Sequence, residues 1–272
     1  MSFLDRGIEI KTPEQIAVMR KAGLVVGQTL ELMRSSVRAG ISTGELDGVA
    51  EDNIRSSGAT PSFKGYHGFP GSICASVNDE VVHGIPGDRV LAEGDVISID
   101  CGAIVDGWHG DAAITVAVGT VPAEVSELMR VTEEAMWRGI AAAKLGGRVT
   151  DISHAVETHV RGNGSYGVLE DYVGHGIGSQ MHQPPNVPNF GRAGRGPKLV
   201  RGLALAVEPM ITLGGKETVV LEDDWTVITA DGSWAAHSEH TFTLTPDGAW
   251  VLTALDGGEQ ALTELGVPFG GR

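Results

Sequence analysis

Cysteine is nearly absent from this chain: Cys74 and Cys101 are the only two among 272 residues. A disulfide framework is thereby excluded, and Cys101, next to Asp100, reads as a packed strand residue. Basic residues are also scarce, 20 Lys and Arg against 35 Asp and Glu, for a formal net charge of −15. Such a balance excludes broad nucleic-acid binding. No apolar run is long enough to cross a bilayer, and no secretory hydrophobic region follows the charged amino terminus, so the expectation is a cytoplasmic protein with no membrane partner. Linkers and low-complexity tracts are missing too. The chain therefore reads as one domain over residues 1–272, with a short extension at 1–11 and halves at about 12–120 and 121–250.

What the chain has in abundance is glycine, 39 residues, which points to many tight turns and a sheet-rich fold rather than a helical bundle. A hydrophobic content of 42% with mean hydropathy near zero supplies a sizeable core. Thr12-Pro13 opens a helix, Gln15 completes a capping box, and Ile16, Met19, Val26, Leu30 and Met33 recur at helical spacing. Ser42 and Glu45 start a second helix that ends at Gly58, and strands follow over about 73–119. The pattern then repeats, with a helix from Pro122 to Gly146, another from near Asp151 to Gly162, and strands again. This order predicts an α+β fold, a curved antiparallel sheet backed by helices, with a pseudo-twofold duplication.

Five side chains stand out as a possible metal site: Asp100, Asp111, His175, Glu208 and Glu239. The segment DVISIDCGAIVDGWHGDAAITV (95–116) has alternating apolar residues around an Asp106-Gly107 pair, the signature of a two-residue hairpin turn. If Val105 faces Trp108, Asp100 lies opposite Ala113 and Asp111 is its diagonal neighbour on the same face. Diagonal neighbours stand roughly 7–8 Å apart at the backbone, a span that two carboxylates close onto one cation or a pair of cations. The competing reading is a solvated hairpin with two surface acids.

His175 is bracketed by Gly174, Gly176 and Gly178, where backbone approaches closely; alone it reads either as a hydrogen-bonded core histidine or as a ligand. Glu208 lies inside LALAVEPMITL (203–213), read as a buried strand, where a lone ionised carboxylate costs several kcal/mol. A metal satisfies it more directly than Arg201, seven residues away, and Pro209 removes a ladder donor at an irregular strand end. Glu239, in SWAAHSEHTFTLT (233–245), follows Asp231-Gly232 and reads as the return strand of a second hairpin. Neighbouring His237 and His240 read as structural residues or as supports for the ligands.

Together these segments resemble the type I methionine aminopeptidases over about residues 12–250. The resemblance rests on GYHGFPGSICASVNDEVVHGIP (65–86), ISIDCGAIVDGWHGD (97–111), GHGIG with His182 beyond it, AVEPMI (206–211) and SEHTFTLT (238–245). It implies the pita-bread fold, a cleft between the halves, and removal of methionine from nascent polypeptide N-termini where the second residue is small. It also implies two divalent metal ions on Asp100, Asp111, His175, Glu208 and Glu239, with a metal-bridged hydroxide as nucleophile. By the same resemblance His83 and His182 are catalytic and hydrogen-bond the substrate amide and the tetrahedral intermediate, while Glu208 is both ligand and proton acceptor. Tyr66, Phe69, Cys74 and Trp225 match the family's methionine pocket, an apolar surface suited to a thioether. Phe63 and Met181 depart from the family's pattern there. The short amino terminus implies a minimal bacterial-style monomer without a zinc-binding extension.

Amide hydrolysis at neutral pH requires a nucleophile stronger than water and an oxyanion stabiliser, which is the chemical reason for such residue types. Four carboxylates and one imidazole suit Mn, Fe, Co or Zn rather than a soft copper-type site. A basic loop, NFGRAGRGPKLVRG (189–202), carries Arg192, Arg195, Lys198 and Arg201 and is expected to dock on the ribosome. The segment matching the family's own basic loop, GGKETVVLEDD (214–224), is acidic here. Two other classes share the scaffold: a proline-directed dimetal aminopeptidase or prolidase-like enzyme, and a non-catalytic binding module. The second requires lost ligands, and none is lost.

Overall fold

Capping decides where the first helices begin. In the computed structural model, which describes residues 7–271, helix α1 (Pro13–Ser36) starts at Thr12, whose hydroxyl accepts from the Gln15 amide at 3.3 Å. The Gln15 side chain accepts in return from the Thr12 amide at 2.8 Å. Helix α2 (Thr43–Ser56) opens on the same reciprocal pair, Ser42 with Glu45, and stops before Gly58, which takes a φ of 76°. The apolar set expected of α1 is buried throughout. Each such side chain contributes about 1.5–3 kcal/mol on leaving water.

Strands β1 (Thr60–Pro61), β2 (Ile73–Val77) and β3 (Glu80–Val82) follow, then the hairpin of β4 (Val96–Val105) and β5 (Trp108–Ala117). At its tip Asp106 (φ 48°) and Gly107 (φ 81°) are both left-handed, as a type I′ turn requires. The register is the expected one: Val105 pairs with Trp108, Asp100 with Ala113 and Gly102 with Asp111. The second half repeats the order, with helices α3 (Ala123–Ala142) and α4 (Val149–Asn163) ahead of its strands. These are β6 (Gly167–Val168), β7 (Gly174–Gly176), β8 (Gln183–Val187), β9 (Ala204–Val207) and β10 (Met210–Thr212). Next come β11 (Thr218–Val220), β12 (Val227–Thr229), β13 (Ala235–His237), β14 (Glu239–Thr245), β15 (Gly248–Val251) and a short helix α5 (Glu259–Glu264).

A nine-stranded antiparallel sheet joins the halves in the order β1-β4-β5-β14-β9-β7-β8, with β2 also on β4 and β15 also on β14. Its seam is β5 against β14, where Glu239 faces Ala113 and His240 faces Ala112. Helices cover one face of the sheet from both sides of this seam. In the first half Leu30, Met33, Leu46 and Ile54 pack on Ile97, Ile99 and Cys101; in the second Leu128, Ile140 and Val156 pack on Leu205, Val207 and Phe242. Side chains alternate along a strand, so Ser98 and Asp100 point to the opposite face. That face carries the cleft.

The second hairpin does not form. β12 and β13 flank Asp231-Gly232 but pair elsewhere, β12 with β11 and β3, β13 with β10. The Asp231 carboxylate accepts from the Gly215 amide at 2.7 Å and the Ser233 amide at 3.0 Å, tying the turn to a distant loop and diverting the chain into another sheet. Glu239 therefore opens a central strand rather than returning from that turn. The run 203–213 breaks at Glu208 and Pro209 into β9 and β10, as the missing proline donor requires. Cys74 and Cys101 are buried free thiols, and no helix among the described residues is long and apolar enough to cross a membrane.

Candidate active site

Sheet alternation brings the first two carboxylates together. Asp100 on β4 and Asp111 on β5 share the cleft face as diagonal neighbours, and Asp111 is buried. Thr241 locks β5 to β14 at this level: its hydroxyl donates to the Asp111 carbonyl at 2.8 Å and accepts from the Asp111 amide at 3.1 Å. Glu239, fully buried at the start of β14, joins from the other side of Ala113. Glu208 sits at the break between β9 and β10, where the Asn189 side-chain amide donates to its carbonyl at 3.1 Å.

His175 occupies the middle of β7, and the glycines on either side are required by packing. A Cβ at Gly174 would collide with the Ala206 carbonyl oxygen, and one at Gly176 with that of Pro184. His175 Nδ1 lies 3.0 Å from the Gly176 carbonyl, an oxygen that only accepts, so the proton sits on Nδ1 and the Nε2 lone pair is free. That nitrogen stands 3.4 Å from Glu208 Oε1. Burial, with His182 nearby, pushes the His175 pKa down to about 3, so the imidazole is neutral and fit to be a ligand.

Donor atoms of His175, Glu208 and Glu239 lie within 4.8 Å of one another, and so do those of Asp100, Asp111 and Glu239. Glu239 belongs to both of these sets, and a third group of the same kind, Asp111, His175 and His182, brings His182 to the edge of the same centre. The charge balance points to the same centre. Burial raises Asp100 to about 7 and Glu208 to about 8; it also lifts Asp111 and Glu239 well above the carboxylate range, with repulsion among the neighbouring acids adding to the shift. Among the described residues Asp100 Oδ1, Asp111 Oδ1 and Glu239 Oε1 are buried without a hydrogen-bond partner. Buried carboxylates crowded in this way need cations, and an oxygen-rich set with one imidazole fits a pair of divalent ions. His237 stands behind the set, buried, with Nε2 3.6 Å from Glu208 Oε2. His240 points to the other face, against Thr253 Oγ1 at 2.8 Å and the Trp137 ring at 5.0 Å.

A cavity of about 130 Å³ opens beside the carboxylates. The four residues expected in a pocket, Tyr66, Phe69, Cys74 and Trp225, all line it, and so do His83 and His182. Phe63 and Met181 line it as well, in contact with this apolar cluster. His182 Nδ1 is 3.0 Å from the Tyr66 hydroxyl, and its ring centroid is 4.4 Å from that of His175. His83 takes a left-handed φ of 60° and stands edge-on to Trp225 and Tyr172. Burial first, then the neighbouring histidines, lowers its pKa to about 4.

The sequence reading missed Val82, which also lines the cavity, and Asn189 behind Glu208. It missed His109 as well, whose Nδ1 is 3.0 Å from Ser62 Oγ. Nothing in local pattern marks these, because each acts through a contact distant in sequence. Arg192, Arg195, Lys198 and Arg201 are exposed and lie outside the cavity lining.

A buried set of four carboxylates and one neutral imidazole, facing an apolar cavity on an antiparallel sheet, fits a metallohydrolase centre. The chain belongs to metallopeptidase family M24, which it matches over residues 17–230. It is 52% identical over 254 residues to methionine aminopeptidase 1 of Mycobacterium tuberculosis, covering 91% of this chain and 96% of that protein. Its identity to the methionine aminopeptidase of Clostridium acetobutylicum is 51% over 247 residues, 90% of this chain and 98% of the relative. The crystal structure of methionine aminopeptidase from Thermotoga maritima superposes with a TM-score of 0.89 at 42% identity, covering 91% and 99% of the two chains. Prolidase from Pyrococcus furiosus, at 23% identity and a TM-score of 0.72 over 90% of this chain and 65% of that one, shares the fold. The pita-bread expectation holds, and a metallopeptidase of this family uses divalent metal ions.

Proposed function

We propose that this chain hydrolyses the first peptide bond of polypeptides that begin with methionine and carry a small second residue. The observation that carries the reading is the junction of the two donor sets with an apolar cavity sized for one unbranched side chain. Phe63, Phe69, Met181 and Trp225 surround the thioether, since aromatic edges and sulfur attract it. Similarity of about 50% to methionine aminopeptidases supports this substrate over a proline-directed one, because the prolidase likeness extends to the fold alone.

Asp100, Asp111, His175, Glu208 and Glu239 would hold two divalent ions, of Mn, Fe, Co or Zn type. When bound, the ions lower the pKa of a water and polarise the scissile carbonyl. The protein's own groups do the rest. Glu208 accepts the water proton and passes it to the departing amine. His182 Nδ1 lies 3.0 Å from the Tyr66 hydroxyl, and with that hydroxyl as the donor the imidazole proton stays on Nε2, where it serves the carbonyl oxygen as charge develops. His83 serves the scissile nitrogen side.

The deciding measurement is release of free methionine from Met-Ala-Ser by chelator-stripped protein, with and without Mn²⁺, against Ala-Pro-Ala. Metal-restored release from the methionine peptide alone is expected; release from the proline peptide alone moves the assignment to the proline-directed class, and silence with every metal removes it. The working protein is a cytoplasmic monomer that meets nascent chains at the ribosome, docking through Arg192, Arg195, Lys198 and Arg201. Reversing those four charges is expected to abolish co-sedimentation with ribosomes at low salt; unchanged co-sedimentation rules that surface out.

A further inference from the structure

We propose that Glu9 is a positioning residue for His182, acting as a clamp on the loop that carries it; this rests on the reading of His182 as the donor to the developing oxyanion. The loop runs from β7 to β8, and His182 itself is exposed, so burial does not hold its ring. Its one side-chain hydrogen bond is to Tyr66. The rings of His175, 4.4 Å away between centroids, and of Tyr66, 5.4 Å away, pack against it, and the backbone on either side supplies the rest of its placement.

Glu9 spans that loop. Its Oε1 accepts from the Ser179 hydroxyl at 2.6 Å, and its Oε2 accepts from the Ser179 amide and the Gln183 side-chain amide, both at 3.0 Å. Ser179 and Gln183 bracket His182, so one carboxylate ties both sides of the turn. Two further bonds shape it: the His109 amide donates to the Gly178 carbonyl, and the Gly178 amide to that of Gln180, each at 3.0 Å.

The clamp is itself anchored. Lys11 donates its amide to the Gly202 carbonyl at 2.8 Å, and its buried ammonium donates to the Glu9 carbonyl at 3.1 Å and stands 3.6 Å from Oε2. Gly178 packs so closely that a Cβ there would run into Glu9 Oε2 and the Lys11 side chain. Burial alone would raise the Glu9 carboxyl, yet the Ser179 and Gln183 hydrogen bonds and the Lys11 charge outweigh it and hold the pKa at about 2. The carboxylate is thus ionised at every working pH, and charge-assisted bonds of this kind are the strong ones.

The test is a double-mutant cycle. Glu9→Ala is expected to lower kcat on Met-Ala-Ser about 10-fold with KM within about 2-fold, since a small misplacement of a catalytic group is costly. Glu9→Gln, which keeps an acceptor oxygen, falls between. In a His182→Ala background Glu9→Ala should change kcat no further, whereas a general structural role would multiply through. Hydrogen exchange at the Ser179 amide should quicken about 10-fold in metal-free Glu9→Ala, a readout independent of turnover. Equal losses in both backgrounds, or full kcat in Glu9→Ala while His182→Ala is slow, overturn the proposal. Full kcat in His182→Ala would instead sink the oxyanion reading, and the clamp's catalytic role with it. Should Glu9→Ala not fold, Ser179→Ala and Gln183→Ala each remove part of the clamp and carry the same cycle.

Discussion

Asp100 and Glu239 face Ala113 from opposite sides of β5, one from the neighbouring hairpin strand and one across the seam between halves. With Asp111 on the same face, three carboxylates converge, and their raised pKa values record how costly their charge is without a cation. Asp111→Asn should therefore separate function from stability. Activity is expected to fall at least about 100-fold, because even outer partners of a metal ligand can be worth that much. The metal-stripped variant should be more stable than the stripped parent by about 1–2 kcal/mol, since the cost of protonating a buried carboxyl on folding is gone. Metal analysis and urea unfolding check both halves; a less stable stripped variant defeats this electrostatic account.

Stability of the stripped protein should fall as pH rises from 6.5 to 8. Asp100 titrates at about 7 in the fold against 3.8 in the open chain, and Glu208 at about 8 against 4.5, so the folded state binds more protons across that window. Their cost is absent below the unfolded values and complete above the folded ones. The depressed histidines, His175 at about 3 and His83, His109 and His240 at about 4, act in the opposite sense, and their effect fades above 6.5 as the open-chain imidazoles lose their protons. The slope should reach about 1.4 kcal/mol per pH unit for each extra proton held. Saturating Mn²⁺ should flatten it. Urea midpoints in chelator that do not move between pH 6.5 and 8 would contradict this.

His182→Ala should act on turnover rather than on binding. A donor aimed at the developing oxyanion is worth roughly 10² to 10³ in kcat. Little change in KM and an unchanged content of two metal ions are expected, since the resemblance places His182 outside the ligand set. A rise in KM alone would make it a substrate-binding residue instead.

Gly23→Ala tests the packing of α1. Helix propensity alone favours alanine by about 1 kcal/mol. Here a Cβ would meet the Leu252 carbonyl oxygen, and Gly110 packs against the same spot. Net destabilisation of about 1–3 kcal/mol is expected, as for overpacked cores. Chemical denaturation decides, and a gain in stability would mean that the helix can shift away.

Local signals carried further than long-range ones. The caps at Thr12 and Ser42 and the register around Asp106-Gly107 were legible, because hydrogen bonds to the third residue along and a strict two-residue period fix them within a few positions. The turn at Asp231-Gly232 carried the same local signal and misled, since the Asp231 carboxylate is engaged by Gly215 and Ser233. His237, two residues before Glu239, and His240, directly after it, divided between standing near Glu208 and packing on Trp137. Sequence spacing alone left that division open.

By itself the sequence determined the helix starts, the diagonal placement of Asp100 and Asp111 on one sheet face, and the residue types able to hold divalent ions. Only the tertiary structure decided that Glu239 closes both donor sets across the β5–β14 seam, that Phe63 and Met181 join the apolar cavity, and that Glu9 reaches Ser179 and Gln183. The physical reason is range. Capping and hairpin register are set by neighbours along the chain, whereas a seam between halves depends on which distant surfaces bury each other best, and that free energy is spread over the whole core.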